Sequence, residues 1–252
     1  MKNWLAVKAY PLVDGIFSVD SSKRFVPFDP AKDDFASLPS GGQVLSVTPF
    51  VVVTSSDIIL LDGGLGIKDD SGQPILLRNL AQLGYNPEDI SMVVLSHLHK
   101  DHIAGLGALA DNGSFQFYFP NAQLFFQKKE MDFALSSDTP SFNKKLLLGL
   151  ANLRNVKLLD GDGQITEDIS YLITGGHTPY HQAISMEDAD RKIFFGADVA
   201  PLLFQMKHNI VGKYDYDGRR AANWRRKWWI EAQEEHWEFL FYHDYKHPII
   251  SL

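Results

Sequence analysis

Three histidines fall within six residues, His97, His99 and His102, with Asp101 among them, in the string His-Leu-His-Lys-Asp-His. Imidazole and carboxylate are the side chains that bind a borderline-soft dication. A catalytic zinc takes three such nitrogen or oxygen ligands at about 2.0–2.2 Å and keeps one position for water. In an extended segment residues i and i+2 point the same way, so His97 and His99 present their rings on one side. Asp101 and His102 fall at the turn beyond. Two histidines of the cluster could serve one ion, and Asp101 with His102 a second. Each ion then lacks ligands, which must come from elsewhere in the chain. The competing reading is three unrelated surface histidines.

The elements that must position this cluster are legible around it. Met92–Leu95 is a short apolar run that reads as a buried strand leading straight into Ser96-His97. Val44–Thr54 and Ile58–Leu61, separated by Ser55-Ser56-Asp57, read as a β-hairpin whose second arm ends in the turn Asp62-Gly63-Gly64. Further strands are expected at Phe115–Phe119, Gln123–Phe126, Val156–Leu159, Ile169–Thr174, Ala183–Met186 and Lys192–Phe195. Helices are expected at Pro74–Leu83, Lys144–Leu153 and Arg220–His236. One internal echo links IILLDGG with KIFFGAD, each an apolar strand ending in a glycine-flanked aspartate.

Composition bounds the classes. The 252 residues include 45% hydrophobic and 22% charged side chains, values of a folded soluble domain. The net charge of −7 argues against broad phosphate-backbone binding. Zero cysteines exclude disulfides, thiolate metal sites and cysteine nucleophiles. The apolar stretch from Trp4 to Val7 is too short for a secretory leader, and no run approaches the roughly 20 residues of a membrane span. A cytoplasmic protein of one domain, residues 1–252, is expected.

The cluster resembles the His-x-His-x-Asp-His signature of the metallo-β-lactamase superfamily. The resemblance runs from the Asp62 turn to the end of the chain. Asp62 in LLDGGLG, His177 in TGGHTPYHQ, Asp198 in FFGADVA and His243 in FYHDYKHP match the family's remaining motifs in order. It implies a four-layer αββα sandwich, an α/β fold. It also implies two divalent metal ions, with zinc expected first and iron or manganese compatible with the same donors. His97, His99 and His177 would hold one ion, Asp101, His102 and His243 the other, and Asp198 would be shared. Two dications against two carboxylates and a hydroxide leave such a cluster about one unit positive. The implied reaction is hydrolysis of an ester or lactone by a bridging hydroxide, with Asp101 as the catalytic proton carrier. A phosphoesterase or organophosphate hydrolase on the same metals, or a non-enzymatic metal binder, are the alternatives.

Several residues keep two readings. Asp62 is either an acceptor that orients a ligand histidine or a turn residue before two glycines. His181 is expected to be a structural partner, and His208, His236 and His247 to be solvated. GHTPYHQ is similar to the GHTPGHQ of quorum-quenching lactonases, with Tyr180 in place of a glycine. Pro201 stands where those lactonases carry a tyrosine. The DVAPLLFQ stretch looks like the branch containing methyl parathion hydrolase. Tyr180 either offers a phenol to the site or packs. Arg219–Trp229 interleaves basic and aromatic residues as nucleic-acid binders do. Its apolar positions Ala221, Trp224, Trp228 and Ala232 instead indicate an amphipathic helix with a charged outer face. Phe25, Phe28, Phe204 and Trp224 are candidates for an apolar pocket wall. The expected partner is a small-molecule substrate, with neither nucleic acid nor membrane.

Overall fold

The computed structural model describes residues 7–110, 114–188, 191–208 and 210–252. The opening residues weighed above as a leader, 1–6, lie outside the described residues. Strands Lys8–Pro11, Phe50–Val53, Ile58–Leu61, Met92–Val94, Gln123–Gln127 and Val156–Leu159 form one six-stranded sheet in that spatial order. Its first three strands are antiparallel, and its last four run parallel. A second six-stranded sheet holds Gly163–Thr166, Ile169–Ile173, Gln182–Glu187, Lys192–Phe195, Glu238–Leu240 and Ile249–Ser251. Within it only Lys192–Phe195 and Glu238–Leu240 are parallel neighbours.

The two-residue period of the strands builds the layers. On the first sheet Val51, Leu60, Val93, Leu124 and Phe126 point outward. They pack on Leu76 and Leu80 of helix Ile75–Gln82, Met131 of helix Lys128–Ser136 and Leu147 and Leu150 of helix Lys144–Ala151. The alternate residues Val52, Ile59, Leu61, Val94 and Phe125 meet Ile184, Met186, Ile193, Phe195 and Leu240 of the second sheet. That sheet's far face offers Ala183, Phe194 and Phe239 to Ala221, Trp228 and Ala232 of helix Gly218–Glu235. The result is the αββα sandwich expected from the resemblance. Runs such as Ile58–Leu61 are apolar throughout because both faces are covered. Leu60 is fully buried, so its truncation to alanine should cost about 2–5 kcal/mol.

Differences from the sequence reading have local causes. Val44–Thr54 is two strands: Gln43–Val47 joins Gly15–Val19 and Phe25–Pro27 in a separate three-stranded sheet, and only Phe50–Val53 forms the expected hairpin arm. Pro49 stands at the break, and a residue with no N–H cannot carry a ladder onward. Phe115–Phe117 pairs with Gly107–Leu109 outside the main sheets. Helix Lys128–Ser136 was not expected; among its buried residues is Glu130, which blurs the apolar stripe. Helix Gly218–Glu235 forms as expected and buries Ala221, Trp228 and Ala232, but Arg225 also turns inward, away from the charged outer face. No helix among the described residues is long and apolar enough to cross a membrane.

Candidate metal centre

All seven expected ligand residues converge where both sheets present the C-terminal ends of parallel strands. Ile58–Leu61 ends at Asp62 and its parallel neighbour Met92–Val94 leads to His97–His102. On the facing sheet Lys192–Phe195 leads to Asp198 and its parallel neighbour Glu238–Leu240 leads to His243. Parallel neighbours release their loops on the same side, so each sheet gathers one pair of loops, and the packing of the two sheets face to face brings the echoing segments IILLDGG and KIFFGAD together. His177 comes from the loop between Ile169–Ile173 and Gln182–Glu187. His243 lies in the turn after its strand rather than within one.

The side chains form two groups. His97, His99, His177 and Asp198 bring ligand atoms within 4.8 Å of one another, and so do Asp101, His102 and His243. Asp198 faces both. Its Oδ2 lies 3.1 Å from His177 Nε2 and 4.0 Å from His97 Nε2, and its Oδ1 lies 3.2 Å from His102 Nε2 and 3.0 Å from His243 Nε2. His99 presents Nδ1, 3.1 Å from His177 Nε2. Asp101 Oδ2 stands 3.7 Å from His102 Nε2 and 3.9 Å from His243 Nε2.

This arrangement fits cations. His97 Nε2, His102 Nε2 and Asp198 Oδ1 are buried with no hydrogen-bond partner among the described residues, a costly state unless another group satisfies them. Burial lowers the His97 and His99 imidazoles well below their ordinary value, and neighbouring histidines add to this. Their lone pairs are therefore available at neutral pH. Burial would lower His102 too, but Asp198, Asp62 and Asp101 outweigh it and raise it well above the usual range. Burial likewise opposes protonation of His243, and Asp198 and Asp101 raise it. Carboxylates thus concentrate negative potential where a dication would sit.

Four of the five imidazoles, all but that of His99, meet a partner on their other nitrogen. His102 Nδ1 meets Asp62 Oδ2 at 2.7 Å. The same carboxylate accepts from Ser96 N and Ser96 Oγ, both at 2.7 Å, and Ser96 Oγ lies 3.0 Å from His97 Nδ1. Asp62 is therefore both readings at once, a turn residue with φ +56° and the acceptor for His102. Its turn needs Gly64, at φ +74°, where a Cβ would sit 2.8 Å from Asp14 Oδ2. That Asp14 oxygen accepts the N–H groups of Leu65 and Gly66 at 2.7 and 3.1 Å. His243 Nδ1 meets the Ser46 carbonyl at 2.7 Å.

Three further side chains hold the site without any local motif to announce them. Asp215, just ahead of helix Gly218–Glu235, lies 2.9 Å from His177 Nδ1. Glu130 accepts from Thr178 Oγ1 at 2.7 Å and from Leu98 N at 3.4 Å, so it joins the His97–His99 loop to the His177 loop. Burial pushes its carboxyl up to about 7. Arg225 donates to the carbonyl of Val199, next to Asp198, at 2.7 Å, and also to that of Ile210.

The remaining candidates separate. His181 is buried, bonded to Thr174 Oγ1 at 2.9 Å, with its ring 5.1 Å from that of His97. His208, His236 and His247 are exposed. Pro201 uses its carbonyl to accept from His243 N at 3.2 Å. Tyr180 is half-buried in the loop after His177. Of the expected apolar wall, Phe28 packs on Phe35, Phe204 is 60% exposed beside His208, and Trp224 bonds the Thr174 carbonyl. Phe25 lies near the site, under Lys100. Phe142 packs on His99, with ring centroids 4.7 Å apart.

Residues 42–228 match the sequence profile of the Metallo-beta-lactamase superfamily. A Bacillus sp N-acyl homoserine lactonase is 35% identical over 112 residues, 44% of this chain and 39% of that one. The Rhizobium radiobacter N-acyl homoserine lactonase AttM is 30% identical over 115 residues, 40% of this chain and 38% of its own. The matched stretch thus spans about two-fifths of these relatives' length. Among solved structures, a probable metal-dependent hydrolase from Staphylococcus aureus superposes with a TM-score of 0.80 at 19% identity, covering 97% of this chain and 92% of that one. AidC, a dizinc quorum-quenching lactonase in complex with a product, superposes at 0.73 with 20% identity, covering 97% and 90%.

Proposed function

The chain belongs to the metallo-β-lactamase superfamily, and from that premise we propose that it is a dinuclear metal-dependent hydrolase of small lactones or esters. His97, His99 and His177 hold one ion in this reading, Asp101, His102 and His243 the other, and Asp198 both. The observation that carries it is the Asp198 carboxylate, whose two oxygens face the two histidine groups separately. Zinc is the expected metal. When bound, such a pair lowers the pKa of water and polarises the attacked carbonyl.

The chain's own groups do the rest. Asp62, Asp215 and the Ser46 carbonyl each take an Nδ1 proton, which leaves Nε2 of His102, His177 and His243 as the ligand atom. Asp101 takes the proton of the attacking water and delivers it to the leaving oxygen. Residues 1–252 act in this proposal as a single domain, in keeping with a site drawn from both sheets. The lactonase relatives support the choice of lactones and esters over phosphoesters.

The test is metal analysis joined to a paired assay of lactone, carboxylate ester, phosphodiester and organophosphate substrates. Close to two metals per chain and faster lactone or ester turnover are expected. Activity that survives chelation and dialysis would overturn the mechanism, and faster phosphoester cleavage would overturn the substrate class.

A further inference from the structure

A hairpin tip reaches over the His99 side of the site. The turn between Gly15–Val19 and Phe25–Pro27 carries Lys23 in the left-handed region at φ +57°, a backbone state that side chains other than glycine and asparagine rarely adopt. Two contacts hold this tip against the site. Lys100, the residue after His99, donates from Nζ to the Lys23 carbonyl at 2.8 Å. The Lys23 ammonium lies 5.6 Å from the centre of the Tyr214 ring, and that ring lies 6.0 Å from the ring of His177. Tyr214 is fixed in turn by Gln205, which donates to its hydroxyl at 2.8 Å.

Lys23 and Lys100 therefore both stand on the His99–His177 side of the site. Among the described residues neither has a carboxylate within 4.0 Å. The acids of the flanking segments make their hydrogen bonds elsewhere, Asp20 to Ser22, Asp215 to His177, and Asp217 to the start of helix Gly218–Glu235. In a chain of net charge −7, two lysines without an ion-pair partner among the described residues are a local source of positive potential. They attract anions there.

We infer that Lys23 is a specificity-determining residue whose ammonium meets an anionic group on the substrate, so that the preferred ester or lactone carries a carboxylate or phosphate beside the scissile group. Lys100 is a positioning residue that holds the tip in place. This rests on the proposed hydrolase reading, which supplies the bond to be cleaved.

The test uses the metal-loaded protein and matched probes: mono-p-nitrophenyl glutarate, its phosphonate analogue and p-nitrophenyl valerate. Each is paired with the non-cleavable anilide of the same acid for binding by calorimetry. Lys23→Gln should raise KM for the anionic esters by roughly 10–100-fold, the range of a lost charged hydrogen bond, with kcat and the valerate nearly unchanged. Lys23→Arg should restore most of the difference. Added salt should erode the preference in the wild type and leave Lys23→Gln flat. The carboxylate and phosphonate arms tell which anion is favoured. Equal losses on charged and neutral probes would reduce Lys23 to a structural role and overturn the inference. If no ester is cleaved but the anionic anilide still binds in a Lys23-dependent way, the hydrolase reading fails and the inference about Lys23 stands. If hydrolysis occurs and the anilides bind alike, the reverse holds.

Discussion

The two halves of the site are built differently. Around Asp101, His102 and His243 everything is buried. Tyr242 stacks on His102 at 4.1 Å, donates its hydroxyl to the Asp101 carbonyl at 2.6 Å and precedes His243 in the chain. One core residue thereby touches all three. Around His97, His99 and His177 the supports are mixed, and His97 shares the buried Ser96–Asp62 pair with His102. His99 is half-buried, and His177 takes its partner Asp215 from the segment that leads into helix Gly218–Glu235. The inner half is thus positioned by the core, and His177 of the outer half by a carboxylate from a loop. In the proposed mechanism the first arrangement would hold Asp101 for proton transfer.

The sharpest way to break this comparison is to remove the residue both halves share. Asp198→Ala should abolish turnover by more than the roughly 10²–10⁴-fold of a lost acid–base group and should lower metal content on both sides. Atomic analysis showing near-normal occupancy would mean the halves are independent. Next, Asp101→Asn should keep the outer ion while turnover falls by roughly 10²–10⁴-fold. Substrates with good leaving groups should suffer least, because they need no protonation. Equal losses for good and poor leaving groups at matched metal content would make Asp101 a ligand only.

Asp14 tests the scaffold of the inner half through pH. Burial pushes its carboxyl up to about 6 from 3.8, against the pull of the N–H groups of Leu65 and Gly66. The folded state therefore binds the proton more tightly than the unfolded one. Its stabilising contribution is complete below pH 3.8 and is lost as pH rises through about 6. In the metal-free protein the stability of wild type relative to Asp14→Asn should fall by at most about 3 kcal/mol across that window. Denaturant titrations showing a flat difference would remove Asp14 from the account.

The smallest effects should come from single orienting partners. Asp62→Asn, which touches His102 directly and His97 through Ser96, should weaken metal binding by about 100-fold, and Asp215→Asn by about 10-fold. Competition with a chromophoric chelator measures both. The opposite order would show that the loop-borne half is the tighter one.

The ligand cluster His97–His102 was legible because its geometry is local. A strand and the turn after it fix where those four side chains point, whatever the rest of the chain does. His177, Asp198 and His243, and the four layers, were legible through the resemblance to the family's motifs, with the order of strands and helices in support. Asp215, Glu130 and Arg225 carried no such signal. Glu130 reads as one more charge in a segment with no assigned element and Arg225 as part of a basic run, because nothing within a few residues of either predicts a buried partner. Their contacts, to His177, to Thr178 and to the Val199 carbonyl, join segments 38, 48 and 26 residues apart. The placement of Lys23 over Tyr214 is of the same kind. Spacing along the chain determined which residues could bind metal. Only the packing of the two sheets, with the loops it draws together, decided which side chains aim them and which charges stand at the entrance, since those contacts exist only once distant segments have met.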